Sequence, residues 1–64
     1  MLSIKKKRKK LNLTQKMLAD KLGITREYIS LLENGHCDPS MKLLKQIAVE
    51  LGTTVNDLVS EDLS

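Results

Sequence analysis

Residues 13–35, LTQKMLADKLGITREYISLLENG, decide how this chain folds. Apolar residues recur three and four positions apart on both sides of Gly23, which is the spacing of two short amphipathic helices. Thr14 and Thr25 stand where the two helices begin, and their hydroxyls can accept hydrogen bonds from first-turn amides. Gly23 is expected to end the first helix in a left-handed conformation. The stretch predicts two helices joined by a tight turn.

The second helix of this pair divides its side chains between two faces. Ile29 and Leu32 are predicted to point inward. The residues that lie three or four apart on the opposite face are Arg26, Glu27, Ser30 and Leu31. An outward polar face on a short, firmly held helix is the arrangement that enters the major groove of duplex DNA.

The segment closely resembles the helix-turn-helix of the phage-repressor and Cro-like family, also called the Xre family. That family's pattern is L-T-Q-x-x-L-A-x-x-L-G-[VI]-[ST]-x-x-x-I-S-x-[IL]-E-N-G, and nearly every fixed position is met in residues 13–35. The match continues through Pro39-Ser40 and spans about residues 4–59. It implies an all-α, five-helix, lambda-repressor-like domain over residues 1–64, with the helix-turn-helix at about 14–34.

The other segments also show helical spacing and no strand-like alternation. A first helix is expected over residues 3–11 with Ile4, Arg8 and Leu11 inside, and Asn12 is expected to reverse the chain. A longer fourth helix and a short fifth helix follow. The expected caps and apolar residues are Ser40, Met41, Leu44, Ile47, Ala48, Leu51 and Gly52 for the fourth helix, and Thr54, Val55, Leu58 and Val59 for the fifth.

Charge is divided unevenly along the chain. Residues 1–32 carry nine Lys or Arg against two acidic residues, a formal charge of +7. Residues 33–64 carry two Lys against six acidic residues, a charge of −4. Such asymmetry can attract and orient a polyanion, although a basic half can equally be a solvated surface.

Composition argues against other classes of protein. The chain has no Phe or Trp, so its core must be aliphatic, and its single Cys favours the reducing cytoplasm. We see no apolar run of the roughly 20 residues that span a membrane and no signal peptide. One His and one Cys are too few for a metal site. With no catalytic constellation or phosphate loop, we expect no enzyme activity, cofactor or small-molecule ligand.

The outward residues are candidates for reading bases. Arg26 can bond to guanine O6 and N7, and Glu27 can accept from the cytosine amino group. Ser30 can donate or accept. Leu31 is either a contact to a thymine methyl or an ordinary exposed apolar residue.

Phosphate contacts are expected from Gln15, Thr25, Tyr28, Asn34 and Arg8, together with part of the basic first helix. Gln15 begins a helix whose free amides favour an anion, and family members use the matching Gln to hold the DNA backbone. Thr25 can do the same while capping its helix. Tyr28 is expected either at a phosphate or packed inside. Asn34 is expected to face DNA, or simply to end its helix in a left-handed conformation with its amide facing DNA in addition.

The resemblance also implies two structural roles. Arg8 and Glu33 match family positions that form a partly buried ion pair, so Glu33→Ala should destabilise the fold more than it weakens DNA contact. Family precedent places the dimer surface at Val55, Leu58 and Val59, which would otherwise complete the core.

These features predict a cytoplasmic, sequence-specific transcriptional regulator that binds double-stranded operator DNA. We expect a homodimer on an inverted repeat, with repression as the default and activation still open. The alternative is a protein-interaction module on the same fold, such as the antitoxin of a toxin–antitoxin pair. A basic membrane-surface helix is disfavoured, because the first helix lacks a broad apolar face.

Overall fold

A computed structural model of the protein describes residues 3–60. These residues form five helices and no strand: α1 (Ile4–Lys10), α2 (Gln15–Leu22), α3 (Arg26–Glu33), α4 (Met41–Glu50) and α5 (Val55–Ser60). The expected all-α class and helix order are confirmed. Residues 1, 2 and 61–64 of the expected 1–64 domain lie outside the described residues.

Four of the helices are N-capped by a hydroxyl side chain, as their sequence positions predict. Thr14, Thr25, Ser40 and Thr54 stand immediately before α2, α3, α4 and α5. In each case the hydroxyl oxygen accepts from the backbone amide three residues later, at 3.0 to 3.1 Å. Each cap satisfies an amide that the helix leaves unpaired, and such caps contribute about 1 kcal/mol.

The chain reverses direction at residues with positive φ. Gly23 adopts φ 70° and ends α2, as predicted, and the amide of Ile24 then donates to the Ala19 carbonyl at 3.0 Å. The expected left-handed conformation of Asn34 is wrong, since its φ is −92°. The following Gly35 takes that conformation at φ 74°, because glycine has no Cβ to resist it. Asn12 reverses the chain after α1 at φ 58°.

The core is aliphatic and draws on every helix. α2 packs most extensively on α3 and also contacts α4, while α4 contacts α5. The buried apolar residues are Ile4, Leu18, Ala19, Ile29, Leu32, Leu44, Ile47, Ala48, Leu51 and Leu58. This packing holds α2 and α3 against the rest of the protein and leaves one face of α3 outside.

Leu11, which was expected inside, and Met41, one of the apolar residues expected in the fourth helix, both lie on the surface. Leu11 is 49% exposed and Met41 is 58% exposed. Leu11 follows the last residue of α1, and Met41 is the first residue of α4, one turn before the buried Leu44. Helical spacing predicts which residues lie on the same face of a helix. It does not predict how much of that face the neighbouring helices cover.

The start of α1 is joined to α5 rather than capped by its own serine. Ser3 makes no side-chain cap to α1. Its backbone N–H donates to the Leu58 carbonyl at 3.0 Å, and its hydroxyl donates to the same oxygen at 3.2 Å. Residues at opposite ends of the described chain are thereby held together.

Candidate nucleic-acid interface

Helix α3 presents a polar face to solvent and an apolar face to the core. Ile29 is 0% exposed and Leu32 is 2% exposed, as their spacing predicted. Arg26, Glu27 and Leu31 are exposed on the other side, and Ser30 is half-buried. The structure therefore brings the four base-reading candidates together on one helix.

Arg26 stands at the beginning of α3 between two partners. Its Nη2 lies 3.8 Å from Glu27 Oε1, a contact between side chains 55% and 74% exposed. Its Nη1 donates to Gln15 Oε1 at 3.5 Å. A guanidinium has five N–H donors, so these two contacts leave donors for a base or a phosphate.

Gln15 joins the outer face of α3 to a buried carboxylate. Its Nε2 donates to Glu33 Oε1 at 3.0 Å while its Oε1 accepts from Arg26. Gln15 was expected at the DNA backbone, but the sequence carried no signal for its contact with Glu33. The two residues are 18 positions apart, and no local spacing relates them.

Arg8 and Glu33 form a bidentate ion pair between α1 and the end of α3. Arg8 Nε lies 2.7 Å from Glu33 Oε2 and Nη2 lies 3.2 Å from Oε1. The side chains are only 8% and 2% exposed, and Nη1 donates to the Leu13 carbonyl at 2.7 Å. The assignment of Arg8 to phosphate contact is therefore wrong, because its guanidinium is buried and already bonded along both edges.

The remaining phosphate candidates occupy different environments. Thr25 is exposed and caps α3 through its oxygen, which leaves its O–H proton able to donate. The half-buried Tyr28 packs against the core, which is one of the two placements expected for it. Asn34 is exposed, and its Nδ2 donates to Ser30 Oγ at 3.3 Å.

The residues expected at a dimer surface do not lie together on the outside. Leu58 is 0% exposed and completes the core, so its assignment to that surface is wrong. Among residues 55–59 of α5, Leu58 is the one that packs fully into the core. Val55 is half-buried and Val59 is 38% exposed.

Lysines cover the outer face of α1. Ile4 and Arg8 turn inward, while the exposed residues of the helix are Lys5, Lys6, Lys9 and Lys10. No acidic residue stands within the helix. The Arg8–Glu33 ion pair connects α1 to the end of α3, so the lysines of α1 keep a fixed position relative to the outward face of α3.

Comparison with known proteins agrees with this geometry. The Helix-turn-helix family model matches residues 4–58. The chain belongs to the Xre-type helix-turn-helix family. The membership expected from residues 13–35 is thereby confirmed, and the protein is a DNA-binding transcriptional regulator with a repressor-like fold.

Several proteins illustrate the range of this helix-turn-helix family. The chain is 47% identical over 47 residues to an uncharacterized HTH-type transcriptional regulator of Methanocaldococcus jannaschii, covering 73% of this chain and 71% of that protein. It is 37% identical over 59 residues to the immunity repressor protein of Bacillus phage phi105, covering 92% of this chain and 41% of the repressor. A chain of the SinR protein/SinI protein complex superposes with a TM-score of 0.83 at 30% identity, covering 92% of this chain and 58% of that one.

This helix-turn-helix protein also has a groove whose lining residues belong to α2 and α4. The groove has a volume of about 250 Å³ and runs between the C-terminal part of α2 and α4, with Leu22, Val49 and Lys45 in its lining. Within residues 3–60, no three His, Cys, Asp or Glu side chains are grouped to hold a metal ion. No helix in that range is long and apolar enough to cross a membrane.

Proposed function

We propose that the protein is a sequence-specific repressor that binds an inverted-repeat operator as a homodimer. The observation that carries this proposal is the capped helix α3, whose Ile29 and Leu32 are buried while Arg26, Glu27 and Leu31 are exposed. A helix anchored in this way keeps its outward side chains in a constant arrangement. That constancy is what recognition of base edges in the major groove requires.

Base recognition is assigned to the four outward residues. Arg26 pairs with guanine, Glu27 accepts from a cytosine amino group, and Ser30 serves as donor or acceptor. Leu31, 45% exposed, contacts a thymine methyl. Each good bidentate contact discriminates against the wrong base by about 1–3 kcal/mol.

Phosphate contact is assigned to the N-terminal ends of α2 and α3. Gln15 and Thr25 stand at these ends, where unpaired amides and the helix dipole favour an anion. The exposed Asn34 and the half-buried Tyr28 are further candidates for phosphate contact, and the exposed lysines of α1 add positive charge. Such contacts supply most of the affinity and make it dependent on salt.

The size of one protomer supports dimerisation. The longest dimension of the described protein is 29 Å, and it presents one eight-residue recognition helix. Half-sites on one side of B-DNA lie about 34 Å apart, so two protomers side by side match two successive major grooves. We assign the contact between protomers to the surface around Val55 and Val59 on α5.

Occupation of an operator would repress transcription by excluding polymerase. We also propose that the protein acts in the cytoplasm, where such DNA lies. The immunity repressor of phage phi105, which resembles this chain over 59 residues, supports repression over activation. The chain itself would then be one DNA-binding domain. Its described residues share a single aliphatic core, which supports that proposal.

A second candidate is a protein-interaction module on the same fold. Two observations favour it: the likeness to the SinR protein/SinI protein complex, and the groove between α2 and α4 with its exposed Val49. In this case another protein chain would be the main partner and DNA binding would be secondary.

Selection from a pool of random DNA duplexes at near-physiological salt tests the proposal. We expect enrichment of an inverted repeat whose half-sites lie about one helical turn apart. Arg26→Ala should lose the enrichment of guanine. Lys45→Ala is the matched control, since it also removes one positive charge but lies in the groove near the other end of α2 from Gln15.

The contrary outcome is equally clear. If no sequence is enriched and the residual binding disappears steeply with added salt, only attraction to phosphate remains. That result contradicts the repressor proposal and favours the protein-interaction module.

A further inference from the structure

Hydrogen bonds connect the buried Arg8–Glu33 ion pair, through Gln15, to a side chain on the surface. Glu33 Oε1 accepts from both Arg8 Nη2, at 3.2 Å, and Gln15 Nε2, at 3.0 Å. Gln15 Oε1 then accepts from Arg26 Nη1 at 3.5 Å. A carboxylate that is 2% exposed is thus two hydrogen bonds away from an arginine that is 55% exposed.

The carboxylate determines which way the Gln15 amide faces. A carboxylate only accepts hydrogen bonds, so it holds the NH₂ end of the amide toward itself. The oxygen end must then face away from Glu33, toward Arg26, and a guanidinium only donates. Reversing the amide would set an oxygen against the buried carboxylate and an NH₂ group against the guanidinium.

We propose that Glu33, acting through Gln15, is a positioning residue for the recognition of guanine by Arg26. The inference rests on the proposed function, and it adds a role for a carboxylate that otherwise belongs only to the structural ion pair. Arg26 has many rotamers, and ordering such a side chain on binding costs conformational entropy. A guanidinium already held by Gln15 loses less freedom when it meets its base.

The contacts of Arg26 explain why Gln15, and not Glu27, supplies this order. The Arg26–Glu27 contact is 3.8 Å long and joins two well-exposed side chains, which is the kind of pair that contributes little. Gln15 is half-buried and anchored to a group fixed by a bidentate ion pair. The buried ion pair therefore fixes the position of the Gln15 amide, and that amide in turn orients Arg26 at the surface.

The test uses Gln15→Met, which keeps the length of the side chain and removes both hydrogen bonds. The probe is the duplex selected by the wild-type chain, together with copies in which the Arg26-dependent guanine is replaced. We expect the wild type to prefer guanine by about tenfold or more and Gln15→Met to retain a preference of about threefold or less. Loss of the phosphate contact assigned to Gln15 should weaken binding to both duplexes alike, so the ratio of the two affinities isolates the effect on Arg26.

The matched control is Gln46→Met, which makes the same chemical change in the groove between α2 and α4. It should keep the full preference for guanine. If Gln15→Met also keeps it, with the fold intact in a thermal melt, Gln15 does not position Arg26 and the inference is overturned while the repressor proposal stands. If the wild type selects no sequence at all, the proposed function and this inference fall together.

The role of Glu33 in positioning Arg26 is tested separately with the double variant Arg8→Met/Glu33→Leu, which replaces the ion pair by apolar side chains. Its preference for guanine should fall as far as that of Gln15→Met, and adding Gln15→Met to it should cause no further loss. A double variant that folds and keeps the full preference for guanine overturns the role of Glu33.

NMR of the Arg26 Nε–H group gives a test that does not need the double variant. In the free wild-type protein this group should show restricted motion, and Gln15→Met should release it. Equal motion in the wild type and in Gln15→Met overturns the inference.

Discussion

Replacing Glu33 with alanine removes a carboxylate that is 2% exposed and accepts three hydrogen bonds. Two come from the Arg8 guanidinium, at 2.7 and 3.2 Å, and one comes from the Gln15 amide at 3.0 Å. The variant leaves Arg8, itself 8% exposed, bonded to the Leu13 carbonyl but without a counter-ion. A buried, unpaired cation is far less favourable than either an ion pair or an apolar side chain.

The expected loss is large for a protein of this size. Removing one partner of a buried pair costs about 3–5 kcal/mol. Native domains are stable by roughly 0.05–0.15 kcal/mol per residue, so 64 residues have about 3–10 kcal/mol in total. At about 4–8 °C per kcal/mol for a small domain, we expect Tm to fall by more than about 12 °C.

Thermal and urea melts followed by circular dichroism measure this loss. Glu27→Ala is the matched control, since Glu27 lies in the same helix but is 74% exposed, and its substitution should cost less than about 1 kcal/mol. If Glu33→Ala melts within about 4 °C of that control, the buried pair does not stabilise the fold as argued.

A compensating variant separates loss of charge from loss of packing. In Arg8→Met/Glu33→Leu no charge is left buried, and apolar replacement of such a pair is often neutral or stabilising. The double variant should therefore be more stable than Glu33→Ala by about 3 kcal/mol or more. Equal stability of the two variants would show that packing, not the orphaned cation, causes the loss.

Gly23→Ala should lose about 1–2 kcal/mol in a thermal melt from backbone strain alone, because φ is +70° and an added Cβ meets no atom within 4 Å; an unchanged melt contradicts this. Ser3→Ala should lose about 0.5–1.5 kcal/mol and accelerate amide exchange in α5 more than in α2, since the hydroxyl donates to the Leu58 carbonyl; uniform acceleration counts against that role. Replacing thymine by deoxyuridine in the selected duplex should weaken binding of the wild type but not of Leu31→Ala, and equal weakening of both would place Leu31 away from the methyl group.

The contrast between Leu58 and Val59 shows how far spacing carries a prediction. Both are apolar residues of α5, and both were expected at the same dimer surface. In the structure Leu58 is 0% exposed and Val59 is 38% exposed. The pattern predicted a short amphipathic helix, but the contact of that helix with Ser3 and with α4 determined which residue it buries.

The sequence by itself determined the helices, their caps and the outward face of α3. Thr14, Thr25 and Gly23 act on groups within a few residues, and the two faces of α3 follow from its 3.6-residue period. Only the tertiary structure decided that Arg8 is buried and that Gln15 links Glu33 to Arg26. Those contacts join residues 11 to 25 positions apart, and they depend on how α1, α2 and α3 pack against one another, which local periodicity does not encode.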